Sequence, residues 1–257
     1  MSSRPADVGN KLKLLTHRCV GAFGFDIVRT DPVGSIMGSF PPHTEYFSVG
    51  RPENYFIHDG YKHRATAIYY DDTGNTNEWQ MEVYKFAREV FDREKLSYVC
   101  DVGCGSAYKL VKYFRDCSTV GLDVAKTCEW LRSKYSSREW LELDFSNVPA
   151  LQADLVIAAD VLEHLSYPDK MMDYISTLSP KFVVFSTPDR NLRLDGAHDG
   201  PPGNPAHIRE WSYAEFGAYV ASRFQVLDHF ISNKRQSTQC VLCAPRQSRN
   251  GHDGHKR

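Results

Sequence analysis

Apolar positions follow two regimes along the chain. Up to about residue 97, Gly, Pro, Tyr and His interrupt every short apolar run, and the one clearly periodic stretch is 77–92, NEWQMEVYKFAREVFD. There Trp79, Val83, Phe86 and Val90 recur at steps of four, three and four, which predicts an amphipathic helix carrying them on one face. Beyond residue 97, short apolar runs alternate with helical periodicity. Strands are predicted at 98–102 (YVCDV), 119–123 (TVGLD), 140–143 (WLEL), 154–159 (DLVIAA) and 182–186 (FVVFS). Helices are expected to begin near Ala107, Ala125, Val161 or Leu162, and Lys170, and a further helix to cover 213–222. Two strands, 224–231 and 237–244, close the pattern as a hairpin.

Strands alternating with helices imply a parallel sheet with right-handed crossovers, and runs such as LVIAA fit strands buried on both faces. The expected fold class is α/β: a Rossmann-like, mostly parallel seven-stranded sheet with an antiparallel C-terminal hairpin strand, plus an N-terminal helical and irregular lid. Residues 1–96 are read as lid and acceptor-binding region, 97–245 as the cofactor-binding domain and 246–257 as a polar, disordered tail. Ligands in open α/β sheets sit at the carboxyl ends of the strands, so chemistry is sought just after each one.

After the first strand the chain reads Asp101-Val102-Gly103-Cys104-Gly105-Ser106-Ala107-Tyr108. Gly103 allows a tight strand-to-helix turn, and Gly105 lets a ligand approach bare backbone. Asp123, 22 positions after Asp101 and followed by Val124, ends the second strand, where a carboxylate can take both hydroxyls of a ribose. A dinucleotide fingerprint would place a third glycine where Tyr108 stands. The Asp101 carboxylate, which could also serve as a helix cap, would oppose a pyrophosphate but suits a ligand bearing an ammonium and a sulfonium. S-adenosylmethionine carries both and no phosphate.

The ordered set DVGCG, GLD, LDF and ADLVIAADVLEHL resembles that of class I S-adenosylmethionine-dependent methyltransferases, over roughly residues 98–186. The resemblance implies that Gly103, Cys104 and Gly105 line the methionine and ribose parts and that Asp123 binds the ribose diol. It further implies that Asp144 caps the adenine amino group beside Phe145, and that Ala159 and Asp160 border the methionine moiety. Glu163-His164 is similar to an "EH" pair of that family. Asp144 could instead start a turn, and Glu163 and His164 could be first-turn helix residues.

Methyl transfer is a single displacement in which the protein supplies alignment, with a base where the acceptor is a hydroxyl. The long stretch 188–209 follows the fifth strand, and loops of that length are usually functional. His207 is the first candidate base because imidazole titrates near neutrality, and His164 the second; a surface role would suit either as well. Arg190 and Arg209 could clamp an anionic acceptor. The N-terminal helix is expected over the cofactor, bringing Trp79, Gln80 and Tyr84 near it, with Trp79 also a candidate core anchor. His58, His63, Arg64, Tyr69, Tyr70, Asp71 and Asp72 are candidate acceptor-pocket residues. The STPDR…GPPGNPAHIREW stretch resembles methyltransferases that modify glycans or natural products, which implies O-methylation of a small polyhydroxylated, sugar-bearing or natural-product acceptor. N-methylation of an amine or peptide, and a non-catalytic S-adenosylmethionine-binding module, remain open alternatives.

No metal site is predicted. Asp160, His164, Asp189 and Asp199 could hold magnesium, whereas the Cys240-x-x-Cys243 pair would point to opposite faces of a strand. Seven scattered cysteines give no disulfide framework, and the amino-terminal stretch lacks the pattern of a secretory signal, so a reducing cytoplasm is expected. A formal net charge of −1 offers no basic track for nucleic acid, and no apolar run suits a membrane partner. The expected partner is a small-molecule or carbohydrate acceptor, with homodimerisation left open.

Overall fold

The computed structural model describes residues 50–145, 149–194, 196 and 198–246. Residues 1–49 and, Arg246 apart, the tail expected at 246–257 lie outside them. Seven strands form one sheet: β1 (Tyr98–Val102), β2 (Ser118–Asp123), β3 (Glu139–Glu142), β4 (Leu155–Ala159), β5 (Phe182–Pro188), β6 (Phe224–Asn233) and β7 (Thr238–Pro245). Their spatial order is β3-β2-β1-β4-β5-β7-β6. β1 to β5 run parallel, and β7 enters antiparallel between β5 and β6. This is the Rossmann-like class expected, with all seven strands within a few residues of their predicted positions.

Alternation along the strands assigns each side chain to one of two cores. Cys100, Val102, Val156, Ala158, Val183, Phe185 and Cys243 join α4 (Pro168–Thr177) and α6 (Tyr213–Ala221) on one face. Val99, Leu155, Ile157, Val184, Cys240 and Leu242 meet α1 (Met81–Arg93), α2 (Tyr108–Tyr113) and α3 (Ala125–Lys134) on the other. Cys240 and Cys243 therefore sit in separate cores, as a strand spacing of three requires. Among the described residues no helix is long and apolar enough to cross a membrane.

Several boundaries differ from expectation. α1 starts at Met81, because Gln80 adopts a left-handed conformation (φ +59°) that breaks the helical path. Trp79 thus falls outside the helix and is 46% exposed, while Val83, Tyr84, Ala87, Val90 and Phe91 supply the buried face. The segment after β4 is a single 3₁₀ turn, Leu162–His164, and the irregular stretch after β5 opens with a four-residue helix, α5 (Arg190–Arg193). Among the described residues, the stretch 50–80 preceding α1 is irregular apart from two 3₁₀ turns. Its backbone is tied to the loop before α6 by Lys62 N–H to Asp199 O (2.7 Å), Arg64 N–H to Ile208 O (2.8 Å) and Ile68 N–H to Pro205 O (3.2 Å).

Candidate active site

The strand order reverses between β1 and β4, the place where open α/β sheets form ligand crevices. After β1, Gly103 (φ +74°) and Gly105 (φ +51°) both take left-handed backbone. A Cβ on Gly103 would stand 2.6 Å from Val161 Cγ2, and one on Gly105 would run into the Asp72 carboxylate. The amides of Gly103 and Cys104 both donate to Leu122 O, which folds the loop over the end of β2. There the Asp123 carboxylate accepts the Gly105 N–H on Oδ2 and the Val124 N–H on Oδ1, each at 2.8 Å. The two amides fix the carboxylate's orientation; burial pushes its pKa up while they pull it down.

Asp101, fully buried at the end of β1, accepts the Tyr84 hydroxyl on Oδ2 at 2.8 Å, and its Oδ1 has no hydrogen-bond partner. Burial raises its pKa to about 7 against the opposing pull of Tyr84 and Lys109. Lys109 was not singled out in the sequence. Its side chain is buried in the first turn of α2, and its Nζ donates to Thr76 O at 3.2 Å.

A cavity of about 770 Å³ opens above these residues, within the usual range for ligand sites. Of the cofactor candidates, Gly103, Cys104, Gly105, Asp123, Val124, Phe145, Ala159, Asp160, Gln80 and Tyr84 line it. Asp101 lies beneath, behind Tyr84. Asp144 is exposed and off the cavity wall; Leu143 and Phe145 represent that segment instead, because alternate residues of an extended chain face opposite ways. Gln80 Nε2 donates to Ala159 O (3.4 Å), and its backbone N–H meets Gln236 Oε1 of the β6–β7 turn (3.4 Å), so two elements close over the end of β4.

The turn at 162–164 and the loop before α6 meet at one end of the same cavity. Ile208 N–H donates to Glu163 O at 2.8 Å, bringing His207 against His164 with ring centroids 4.7 Å apart. His164 Nδ1 donates to Ala206 O (2.9 Å), which leaves Nε2 with the lone pair and no partner among the described residues. Burial, then the neighbouring His207, lowers its pKa to about 4. His207 Nδ1 donates to Glu210 Oε1 at 2.6 Å, and its Nε2 accepts from Asn204 Nδ2 at 2.9 Å. That amide orientation is fixed because Asn204 Oδ1 accepts the Ala206 N–H. Glu163, 0% exposed, borders the cavity with neither carboxylate oxygen hydrogen-bonded. The Thr187 hydroxyl faces it closely enough to favour the charged form, without hydrogen-bond geometry, and burial holds its pKa well above the carboxylate range.

Other sequence candidates have structural work. Arg190 is buried in an ion pair with Glu215 (2.9 Å), and Arg209 donates to Leu165 O and Ser166 O beneath the ring of Tyr55. Neither reaches the cavity, whose guanidinium-bearing residues are Arg193 and Arg235. His63 meets Asn54 and Arg209, His58 pairs with Asp199, and Arg64 donates to Pro202 O and His207 O, whereas Tyr69, Tyr70 and Asp72 do line the cavity. Asp189 caps α5, so the set Asp160, His164, Asp189 and Asp199 is not assembled among the described residues. No sequence signal marked Asn204, Glu210 or Gln236, since their partners are remote backbone and ring atoms.

A family model for a methyltransferase domain matches residues 76–231, from just before α1 into β6. The chain belongs to the methyltransferase domain family. It is an S-adenosylmethionine-dependent methyltransferase, and the cavity at the switch point is the place the fold provides for that cofactor. No curated protein sequence matches it. Among solved structures, it is similar to the methyltransferase domain of bacterial CtHen1-C (18% identity, TM-score 0.52, covering 65% of this chain and 99% of that one). It is also similar to a Burkholderia thailandensis 1,6-didemethyltoxoflavin-N1-methyltransferase (15%, TM-score 0.51, 66% and 81%). A third is the magnesium protoporphyrin IX methyltransferase ChlM of Synechocystis PCC 6803 (15%, TM-score 0.50, 65% and 79%). At these identities the likeness is one of fold.

Proposed function

We propose that this methyltransferase transfers the methyl group to a hydroxyl of a small, polyhydroxylated or sugar-bearing acceptor. The cluster of Glu163, His164 and His207 at the cavity's edge carries this reading. A hydroxyl must lose its proton to become a competent nucleophile, whereas a neutral amine attacks without that help. Imidazole nitrogen and carboxylate oxygens with unused acceptor capacity are the groups such a proton or oxygen would meet.

Asp123 would take the ribose hydroxyls and Phe145 would sit beside the adenine. Tyr84 and Asp101 would answer the ammonium of the methionine part, which brings the methyl group toward Asp160 and the histidines. Tyr69, Tyr70 and Trp79 offer exposed aromatic faces along the cavity, Tyr70 stacked on His164, and Asn75, Asn204 and Arg193 add hydrogen-bonding groups suited to a polyol. In this reading residues 1–96 serve as the lid and acceptor-binding region.

The test is transfer from methyl-labelled S-adenosylmethionine to panels of sugars, phenols, primary amines and peptides. Label recovered as a methyl ether supports the reading. Label recovered only as an N-methyl product overturns it.

A further inference from the structure

The geometry points to a divalent transition-metal site formed by Glu163, His164 and His207, suited to Mn²⁺, Co²⁺ or Zn²⁺. One ligand-capable atom from each residue lies within 4.8 Å of the others. Ligands held about 2.1 Å from a shared ion stand up to roughly 4.2 Å apart, so small side-chain adjustments close the set.

Three features distinguish this cluster from a chance gathering of polar groups. First, both histidines are locked from behind. His164 spends its Nδ1 proton on the Ala206 carbonyl and His207 spends its own on the Glu210 carboxylate. That leaves Nε2 as the coordinating atom of each, the arrangement in which metal-bound imidazoles are normally oriented. Second, both oxygens of Glu163 are buried and unpartnered while the residue borders the cavity. A carboxylate so placed costs stability unless something satisfies it, and a cation does so directly. Third, Asn204 Nδ2 stands 2.9 Å from His207 Nε2, where it satisfies that lone pair until an ion displaces it.

The donor set selects the metal. Two imidazole nitrogens and one carboxylate suit borderline ions; magnesium and calcium prefer oxygen. Three protein ligands leave positions open toward the cavity. The role of the ion rests on the hydroxyl-methylating reading: an acceptor hydroxyl on an open position loses its proton to water more readily. Its oxygen then forms the bond to the methyl carbon as the carbon–sulfur bond breaks, and the electron pair leaves on sulfur as S-adenosylhomocysteine. The site itself stands independently of that step.

Metal-free full-length protein titrated with Co²⁺, followed by visible absorption and calorimetry, tests the site. The expected result is one equivalent bound per chain with a ligand-field band. Glu163→Gln and His164→Ala should each weaken cobalt binding at least tenfold, with cooperative unfolding and saturable S-adenosylhomocysteine binding showing that each variant folds. Absence of a saturable 1:1 spectrum overturns the site. So does unchanged affinity in both variants, which would place the ion on histidines elsewhere, such as His252 and His255. The acceptor panel fails separately: cobalt binding lost only in these variants, with N-methyl products alone, upholds the site and removes the hydroxyl reading.

Discussion

The Tyr84 hydroxyl donates to Asp101 Oδ2 at 2.8 Å, joining the helix that precedes the sheet to the end of its first strand. The bond is buried, and among the described residues the other carboxylate oxygen has no partner. Tyr84→Phe should therefore destabilise the chain by about 1–3 kcal/mol, read as a lowered midpoint in chemical denaturation. S-adenosylhomocysteine should bind more weakly, since Asp101 then ionises less readily.

Asp101 also predicts a pH dependence. Its pKa is about 7 in the folded chain, against about 4 for an unfolded aspartate. The folded state thus holds the extra proton, and the stability this contributes is complete below about pH 4 and lost as pH rises to 7. Asp101→Asn should be more stable than the parent at pH 8, with a shallower fall between pH 5 and 8 in urea denaturation. An ammonium ligand favours the charged carboxylate, so parent affinity for S-adenosylhomocysteine should rise from pH 6 to 8, and the variant's should not.

Asp123→Ala removes an acceptor from the Gly105 and Val124 amides and from any ribose placed there. Hydrogen bonds to a charged group contribute about 1.5–3 kcal/mol each. Calorimetry should show S-adenosylhomocysteine affinity reduced at least tenfold. Retained affinity would remove Asp123 from the cofactor site.

Gly105→Ala should weaken folding and cofactor binding together. A left-handed alanine costs about 1–2 kcal/mol, which lowers the thermal midpoint modestly. Its methyl group would also push Asp72, and with it the 72–74 turn, off the glycine loop. Protease sensitivity between residues 60 and 80 should rise and cofactor affinity fall together.

Arg190→Met should act on stability rather than on catalysis. Glu215, 2% exposed, would lose the guanidinium 2.9 Å away and stay buried. Breaking such a pair costs about 3–5 kcal/mol, so the denaturation midpoint should fall sharply. Residual folded enzyme should keep its KM for acceptor, because Arg190 does not line the cavity.

The parts of this architecture legible in the sequence are those written in local pattern. Runs such as LVIAA declared buried strands, and the glycines and Asp123, which depend on neighbours in sequence, marked the cavity-lining loop at the strand ends. The end of the cavity beside His164 and His207 was less legible. His207 depends on Ile208 reaching the carbonyl of Glu163 across 45 residues, and Arg190 and Arg209 looked like ligand clamps until Glu215 and two backbone carbonyls claimed them. Trp79 obeyed helical spacing, but the left-handed turn at Gln80 stops the helix short of it. A periodicity cannot report a reversal of backbone hand.

The placement of β7 between β5 and β6 has a consequence for synthesis. β6 pairs in the sheet only with β7, and β5 has no neighbour on that side until Thr238–Pro245 arrive. A nascent chain therefore carries an open edge on β5 from Pro188 until Thr238 follows, while β6 waits only for the turn after Asn233. One eight-residue stretch, made last of all the strands, closes both.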